Sequence, residues 1–192
     1  MGTTQPLKNK DDIKKLKNYF DTKGNYRDFA LVMLGLNTAL RISDILSLIW
    51  KDVYDFKNDK YHTHIQIHEQ KTGKYNNIYI NNAAIEALEK LRLNQKNIYP
   101  EKVLFESRKG KNKPLSRYRV YIILKEAGLE LGFGNNFSCH SLRKTFGYHA
   151  WKNGESPAII MAIFNHSSFN ITKRYLSIEQ DDKDSLYSHI QF

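Results

Sequence analysis

Apolar residues recur at helical spacing along most of the chain. Together with capping residues at several boundaries, this periodicity predicts helices over most of the sequence. Asn9 or Lys10 lies near the start of the first helix, and Gly154 ends one of the later ones. The predicted helices cover Asp11 to Phe20, Tyr26 to Leu36, Ser43 to Ile49, Ala83 to Leu93, Ser116 to Leu131, Ser141 to Lys152 and Ser156 to Phe164.

Alternation of apolar and polar residues marks two short strands. They run from His64 to His68 and from Asn77 to Ile80, and Thr72-Gly73 supplies turn chemistry between them. Lys71 therefore lies on a hairpin, while Arg41 falls in a turn between two buried helices. The predicted fold class is α+β, mainly α-helical with a small antiparallel β-sheet.

Length and charge narrow the class of protein. A chain of 192 residues suits a single domain over residues 1–192, and it is long enough to bury a sizeable core. Thirty Lys and Arg against twenty Asp and Glu give a formal net charge of +10, which favours a polyanionic partner without identifying it.

The compartment is expected to be the cytoplasm. No apolar run approaches the length of a membrane-spanning helix, and Met1-Gly2-Thr3-Thr4 shows no signal-peptide pattern, so no membrane partner is expected. Cys139 is the only cysteine, which excludes an intrachain disulfide and suits a reducing compartment. A buried structural thiol is favoured there over a nucleophile.

Three separate segments carry groups that could attack a phosphodiester. They are Arg41-Ile42-Ser43-Asp44, His140-Ser141-Leu142-Arg143, and the stretch from Phe164 to Tyr175 that includes His166. A phenol can form a covalent phosphoryl intermediate if guanidinium groups neutralise the phosphate oxygens and another group protonates the leaving alkoxide. His140 and Arg143 lie three apart at a helix start, so both can reach one phosphate.

In this order and spacing, the segments resemble the catalytic domain of the tyrosine recombinases, the phage integrase family. The resemblance runs from about Leu31 to Leu176 and leaves 177–192 as a C-terminal tail. It implies that Arg41 and Arg143 clamp the scissile phosphate and that His140 is a supporting donor or proton carrier. The implied catalytic set is Arg41, Lys71, His140, Arg143, His166 and Tyr175, with Tyr175 as the nucleophile.

The resemblance also assigns supporting roles and shows departures from the family pattern. Lys71 would protonate the leaving 5′ oxygen from the minor groove, and Asp44 would pair with Arg41 and orient it. Asp44 replaces a frequent glutamate, and Lys144, a second phosphate donor, replaces a frequent histidine. Phe164-Asn165 stands where the family has Leu-Gly before the histidine, so a change in the turn that presents His166 is expected.

Basic residues outside this set are candidates for contacts with the DNA backbone, although a solvated loop explains several of them equally well. They are Lys74, Arg108, Lys109, Lys111, Lys113, Arg117, Arg119 and Arg174. His62, His64 and His68 share strand parity, but no carboxylate or cysteine accompanies them at ligand spacing, so a polar sheet face is favoured over a metal site. No metal and no cofactor are expected.

The sequence therefore predicts a site-specific DNA recombinase or integrase that breaks and rejoins DNA through a covalent 3′-phosphotyrosyl intermediate. Its expected partner is double-stranded DNA. The protein is expected to form a homotetramer on paired DNA sites, and whether it is a monomer in free solution is left open. The alternatives are a type IB topoisomerase-like relaxing enzyme and a non-cutting DNA-binding protein on the same fold. Whether an N-terminal DNA-gripping domain is missing stays open.

The tail carries one further pattern. Leu186, Tyr187 and Ile190 recur at helical spacing behind the acidic pair Asp181-Asp182. This apolar stripe could fold back on its own domain, or it could dock on a neighbouring protomer as the resemblance implies.

Overall fold

The computed structural model describes residues 4–178 and 180–190 and is mostly helical. The helices are α1 (Lys10–Thr22), α2 (Tyr26–Thr38), α3 (Ile42–Ser47), α4 (Asn82–Asn94), α5 (Arg117–Glu130), α6 (Cys139–Lys152), α7 (Pro157–Phe164), α8 (Phe169–Leu176) and α9 (Gln180–His189). The strands are β1 (Tyr54–Asp55), β2 (Lys60–Tyr61), β3 (His64–His68) and β4 (Tyr75–Tyr79), and a 3-10 turn covers Trp50–Asp52.

Helix α2 forms the centre of the fold because it is apolar on nearly all sides. Its residues from Phe29 to Leu36 are buried, and it packs against α1, α4 and α6. A large core surrounds it and includes Leu16, Trp50 and Leu88. None of the described helices is long and apolar enough to cross a membrane.

The strands form two separate antiparallel ribbons. The predicted hairpin is β3 paired with β4, in a register that sets His64 opposite Tyr79 and His68 opposite Tyr75. Its second strand begins at Tyr75, before the predicted Asn77. The ribbon of β1 and β2 was not predicted. The expected fold class, mainly α-helical with a small antiparallel sheet, is confirmed.

Helix α3 is shorter than predicted and starts earlier. Arg41, not Ser43, is its N-cap residue, and the helix ends at Ser47. The backbone beyond it is extended, because the Trp50 N–H donates to the Lys102 carbonyl at 2.9 Å and thereby joins a distant segment. This long-range pairing replaces the last helical turn that the apolar pattern suggested.

Helix α6 also starts before its predicted first residue. Ser138, rather than Ser141, caps it, and the Ser138 N–H donates to Ser141 Oγ at 3.0 Å. His140 consequently lies in the first turn. Its side chain and that of Arg143 start from the same end of the helix.

A second, smaller core lies beneath α7 and α8. Among the described residues it consists of Ala39, Ile160, Phe164, Leu176 and Ile178. Gly147 of α6 permits this packing, since a Cβ there would lie 2.6 Å from Leu176 Cδ2 and 2.7 Å from the Phe164 ring.

Helix α8 was not predicted, whereas the helical spacing noted in the tail coincides with the end of α9. Ser168 caps α8 by accepting a hydrogen bond from the Ile171 N–H. Leu186 and Tyr187 in α9, and Ile190 directly after it, are all more than half exposed; these three residues form the exposed stripe of α9. The side chains of Asp181 and Asp182, the predicted acidic pair, lie outside the described part of the structure.

Candidate active site

The first arginine of the site lies where α2 gives way to α3. Ala39 ends α2 in the left-handed conformation, with φ of 53°, and Arg41 follows as the N-cap residue of α3. The Arg41 Nη1 donates to Glu69 Oε2 at 2.6 Å, and the Glu69 side chain is only 2% exposed. Arg41 is therefore held by a buried carboxylate.

The expected ion pair between Arg41 and Asp44 is wrong. Within the described residues, Arg41 forms its ion pair with Glu69, whereas Asp44 Oδ1 accepts the Gln70 N–H at 2.9 Å. Asp44 is buried, and its Oδ2 has no hydrogen-bond partner among the described residues. Asp44 thus braces the backbone that leads to Lys71 instead of pairing with the arginine.

The second arginine is almost fully enclosed. Arg143 on α6 is 4% exposed, and its Nη1 donates to the Ala39 carbonyl while Nη2 donates to the Phe164 carbonyl at 3.3 Å. Its guanidinium also lies 4.6 Å from the centroid of the Phe164 ring. Arg143 therefore joins the end of α2 to the end of α7.

Helix α8 brings the tyrosine to these arginines. The rings of His166 and Tyr175 meet edge to face, with centroids 5.2 Å apart and an interplanar angle of 77°. A hydrogen bond of 3.0 Å joins His166 Nδ1 to the buried Thr172 Oγ1, one turn before Tyr175 on the same helix. Thr172 thereby fixes the histidine against the tyrosine.

Burial and charge set the protonation of this pair. Burial raises the pKa of Tyr175, and the positive charges of Arg143 and Arg41 oppose this rise without cancelling it. Burial, followed by the same two arginines, lowers the pKa of His166. Near neutral pH the site therefore holds a protonated phenol and a neutral imidazole.

The turn before His166 is formed although Asn165 replaces the glycine of the family pattern. Asn165 caps α7 in the left-handed conformation, with φ of 56°, which glycine adopts freely and asparagine tolerates better than most residues. Its Oδ1 accepts a hydrogen bond of 2.7 Å from Lys74 Nζ. Lys74, predicted as a DNA contact, here connects the hairpin to the segment that carries the histidine.

Lys71, His140 and Lys144 complete the cluster of basic side chains. Lys71 is exposed near the hairpin tip, and His140 is exposed in the first turn of α6. The pKa of His140 is lowered, chiefly because its ring is partly shielded from solvent. The charges of Lys144 and Arg143 lower it further, and Arg117 and Lys71 make smaller contributions. Lys144 is buried, donates to the Thr4 carbonyl at 2.6 Å, and lies 5.1 Å from the centroid of the Tyr175 ring.

The other predicted DNA-contact residues are all exposed, and they lie in two regions, one near the site and one far from it. Arg117 and Arg119 lie in the first turn of α5, and Arg174 neighbours Tyr175 on α8. The loop with Arg108, Lys109, Lys111 and Lys113 lies instead by the start of α2, where Arg27 donates to the Glu106 carbonyl at 3.0 Å. Helix α2 is roughly 20 Å long, so this loop is far from Arg41.

Two histidines of the sheet face pack against tyrosines, and the cysteine thiol is shielded from solvent. His64 packs against Tyr79 at 5.5 Å, and His68 against Tyr75 at 5.7 Å. No three His, Cys, Asp or Glu side chains come together as a metal site in the described ranges. Burial raises the pKa of Cys139 to about 11, which leaves it a poor nucleophile.

Sequence reasoning missed two residues that hold the site together. Glu69 binds Arg41, and Thr172 binds His166. Glu69 precedes the Lys71 turn, but only the fold brings it to Arg41, 28 positions away. Thr172 carries a weak signal, since it lies one helical turn before Tyr175.

Comparisons with known proteins agree with this geometry. The profile of the phage integrase family matches residues 8–181. The probable integrase/recombinase YoeC of Bacillus subtilis (strain 168) is 37% identical over 188 residues, covering 97% of each chain. The tyrosine recombinase XerC of Caldanaerobacter subterraneus subsp. tengcongensis is 29% identical over 174 residues, covering 88% of this chain and 46% of XerC.

Solved structures share the fold. The crystal structure of XerA recombinase aligns with all of this chain and 68% of its own, with a TM-score of 0.77 and 20% identity. XerH, bound to its difH substrate after cleavage, aligns with 98% of this chain and 54% of its own, with a TM-score of 0.72 and 20% identity. The chain therefore belongs to the phage integrase family, the tyrosine recombinases that break and rejoin DNA.

Proposed function

We propose that this protein is a site-specific DNA recombinase or integrase in which Tyr175 is the nucleophile. The observation that carries the proposal is the convergence of Tyr175 with His166 and with the charges of Arg143 and Arg41 around one partly buried phenol. A partly buried tyrosine beside two arginines suits attack on a phosphate, because the same charges attract the substrate and stabilise the oxygens on which charge develops.

In the cleavage step, a bond forms between Tyr175 Oη and the scissile phosphorus while the bond from phosphorus to the 5′ oxygen breaks. The phenolic proton passes to His140, which is neutral near pH 7 because its pKa is lowered. Lys71 gives a proton to the leaving 5′ oxygen. The products are a 3′-phosphotyrosyl bond and a free 5′ hydroxyl.

Arg41 and Arg143 neutralise the non-bridging phosphate oxygens. In this structure the Arg41 donor is bound by the Glu69 carboxylate, and the Arg143 donors are bound by two backbone carbonyls. A phosphate is a charged acceptor and forms stronger hydrogen bonds than a carbonyl does. The scissile phosphate therefore competes with these two carbonyls for the Arg143 donors when DNA enters.

Rejoining is the reverse reaction, with a hydroxyl from the partner strand as the attacking group. The phosphotyrosyl bond conserves the energy of the broken phosphodiester, so this scheme uses no nucleotide cofactor and no metal ion. His166 keeps the Tyr175 ring in place between the two steps through the edge-to-face contact.

The test is capture of the covalent intermediate on a nicked DNA duplex that carries the target site of the protein. Wild-type protein should form a protein–DNA adduct that resists denaturation, in the presence of excess EDTA. Tyr175→Phe should form none while binding DNA normally, and Tyr99→Phe, a change at an exposed loop tyrosine, should match the wild type. Adduct formation by Tyr175→Phe would remove Tyr175 as the nucleophile.

The DNA is expected to lie over the face that presents His140, whose ring experiences the charges of Lys71 and Arg117. Arg119 and Arg174 flank this face and are proposed to contact the phosphate backbone. The distant basic loop from Arg108 to Lys113 is proposed to contact DNA farther along the duplex. A DNA substrate would place the protein in the cytoplasm.

Assembly as a tetramer on paired sites is the second part of the proposal, with residues 1–192 acting as one catalytic domain. The exposed stripe of α9 has a counterpart in an apolar groove of about 500 Å³ between α1, α2, α6 and α7, lined in part by Met33, Leu36, Phe146, Ile159 and Ile163. We expect the tail of one protomer to occupy this groove on its neighbour. A monomeric relaxing enzyme or a pure DNA binder gives this stripe no partner.

A further inference from the structure

We propose that Glu69 is a positioning residue for strand cleavage, whose buried carboxylate holds the Arg41 guanidinium and the turn that carries Lys71 in one fixed arrangement. The proposal rests on the roles given above to Arg41 and Lys71. It adds a residue outside that set, and it makes the phosphate clamp and the proton donor depend on a single anion.

The hydrogen bonds of the carboxylate connect the two groups directly. Glu69 Oε2 accepts from Arg41 Nη1 at 2.6 Å and from Thr72 Oγ1 at 2.8 Å, and Thr72 directly follows Lys71. Glu69 Oε1 accepts from Asn76 Nδ2 at 3.4 Å on the returning strand. One side chain therefore contacts the arginine and both sides of the hairpin tip.

The backbone of Glu69 closes the same turn. Its carbonyl accepts from the Thr72 N–H at 3.3 Å and from the Gly73 N–H at 2.7 Å, and its own N–H donates to the Lys74 carbonyl at 2.9 Å. Any displacement of Glu69 is thus transmitted to the residues on either side of Lys71. Lys71 itself is exposed, so its position depends on this turn.

Burial explains why the carboxylate is a firm support. The Glu69 side chain is 2% exposed, and a buried carboxylate is stable only when hydrogen bonds and an opposite charge compensate the loss of water. Burial alone would raise the pKa of Glu69, but hydrogen bonds from Thr72 and Arg41 and the charges of Arg41 and Arg143 outweigh it, and the pKa is lowered. Glu69 is an anion at neutral pH.

Asp44 does not duplicate this function. Its Oδ1 holds the Gln70 N–H at 2.9 Å, which fixes the main chain before Lys71 but leaves Arg41 without contact from this carboxylate. An ordinary structural ion pair between Glu69 and Arg41 would predict a defect in the clamp alone. The shared oxygen predicts a second defect, in protonation of the leaving group.

The experiment separates the two defects by replacing the bridging 5′ oxygen of the scissile phosphate with sulfur. A thiolate leaves without protonation, so the sulfur substrate bypasses the proton donor and still needs the clamp. Single-turnover cleavage of the oxygen and sulfur substrates is measured for Lys71→Ala, Glu69→Gln, Thr72→Val and, as a matched control on the same ribbon, Thr63→Val.

Lys71→Ala should slow cleavage of the oxygen substrate by about 10²-fold or more and be rescued by sulfur. Glu69→Gln should slow it roughly 10- to 100-fold, with partial rescue, because misplacement of Arg41 remains. Thr72→Val keeps the contact between Glu69 and Arg41, so its loss of about tenfold should be fully rescued. Thr63→Val should match the wild type on both substrates.

Two results would overturn the Glu69 proposal while leaving the proposed function intact, and a third would overturn the role of Lys71 and the Glu69 proposal together. If Lys71→Ala is rescued but Glu69→Gln and Thr72→Val are not, Glu69 does not position the proton donor. Wild-type cleavage of the oxygen substrate by Thr72→Val would have the same meaning, even if Glu69→Gln failed to fold. If sulfur does not rescue Lys71→Ala, the role of Lys71 falls, and the Glu69 proposal falls with it.

Discussion

The phosphate clamp and the nucleophile are supported by cores of very different size. Arg41 follows α2, the centre of the large core, and the Lys71 hairpin is anchored there through Ile65 and Ile80. Tyr175 belongs instead to α8, which rests on the small core of five described residues that also includes Phe164 and Leu176. The clamp is therefore built into the body of the protein, and the nucleophile is attached to its side.

This difference shows which part of the site can move. Regions with few buried apolar contacts open at lower free energy than the main core does. Hydrogen bonds that tie the small core to the rest of the site include those of Arg143 to the carbonyls of Ala39 and Phe164 and that of Lys74 to Asn165. A small number of substitutions should therefore release Tyr175 without disturbing Arg41 and the Lys71 hairpin, which rest on the large core.

The largest expected effect comes from Gly147→Ala. The new Cβ would lie 2.6 Å from Leu176 Cδ2 and 2.7 Å from the Phe164 ring, so these side chains must move, and we expect α8 to shift away from α6 with them. A displacement of the nucleophile by about 1 Å should reduce cleavage roughly 10²-fold, while DNA affinity stays near the wild-type value. Single-turnover adduct formation and a binding titration measure both quantities.

Gly128→Ala provides the matched control in the main core, where the new Cβ would lie 2.9 Å from Phe137. It should lower the free energy of unfolding by about 1–3 kcal/mol and leave the cleavage rate of the folded protein unchanged.

Adding Phe164→Leu and Leu176→Val to Gly147→Ala should restore part of the cleavage rate that the single variant loses. Normal cleavage by the single variant Gly147→Ala would contradict the division into two regions.

Deletion of residues 185–192 should affect the nucleophile region only in the assembled complex. The exposed stripe of α9 is lost, so strand exchange between paired sites should fall about tenfold or more, corresponding to the loss of roughly 1.4 kcal/mol of docking. Cleavage of a single nicked site and DNA affinity should not change. Leu186→Ser with Ile190→Ser is the milder variant, and exchange at the full-length rate by both would refute docking of the tail.

The smallest expected effect concerns Asn165. Asn165→Ala loses both the contact with Lys74 and the tolerance for positive φ, and it should destabilise the turn by about 1–2 kcal/mol. Asn165→Gly keeps the conformation and loses only the contact, so its unfolding free energy should stay close to that of the wild type. Urea unfolding of both variants makes the comparison, and equal losses would show that the Lys74 contact, not the conformation, supports this turn.

Much of the clamp could be predicted from the sequence because its residues lie in locally recognisable segments. The hairpin alternation placed Lys71, and the flanking apolar runs placed Arg41 in a turn between helices. Helix α3 was overextended, because the pairing of Trp50 with Lys102 is a long-range contact that no local pattern contains. The partner of Arg41 was missed for the same reason.

The nucleophile region was harder to predict. Helix α8 has only eight residues, which is too short for a helical repeat of apolar residues to be recognised with the window that such a pattern needs. The close approach of α8 to Gly147 depends on the angle between two helices, which single-residue preferences do not specify. The departure at Asn165 was expected to alter the turn, and the structure shows that the asparagine itself adopts the left-handed conformation.

The left-handed Ser177 gives Tyr175 an unusual mechanical position. It ends α8 with φ of 56°, and the buried side chains of Leu176 and Ile178 lie on either side of it. A pull on the tail must therefore reach these two buried side chains before it reaches the phenol. We expect small loads to leave Tyr175 in place and a load that extracts Ile178 to free the end of α8, because close-packed side chains leave their sites as units.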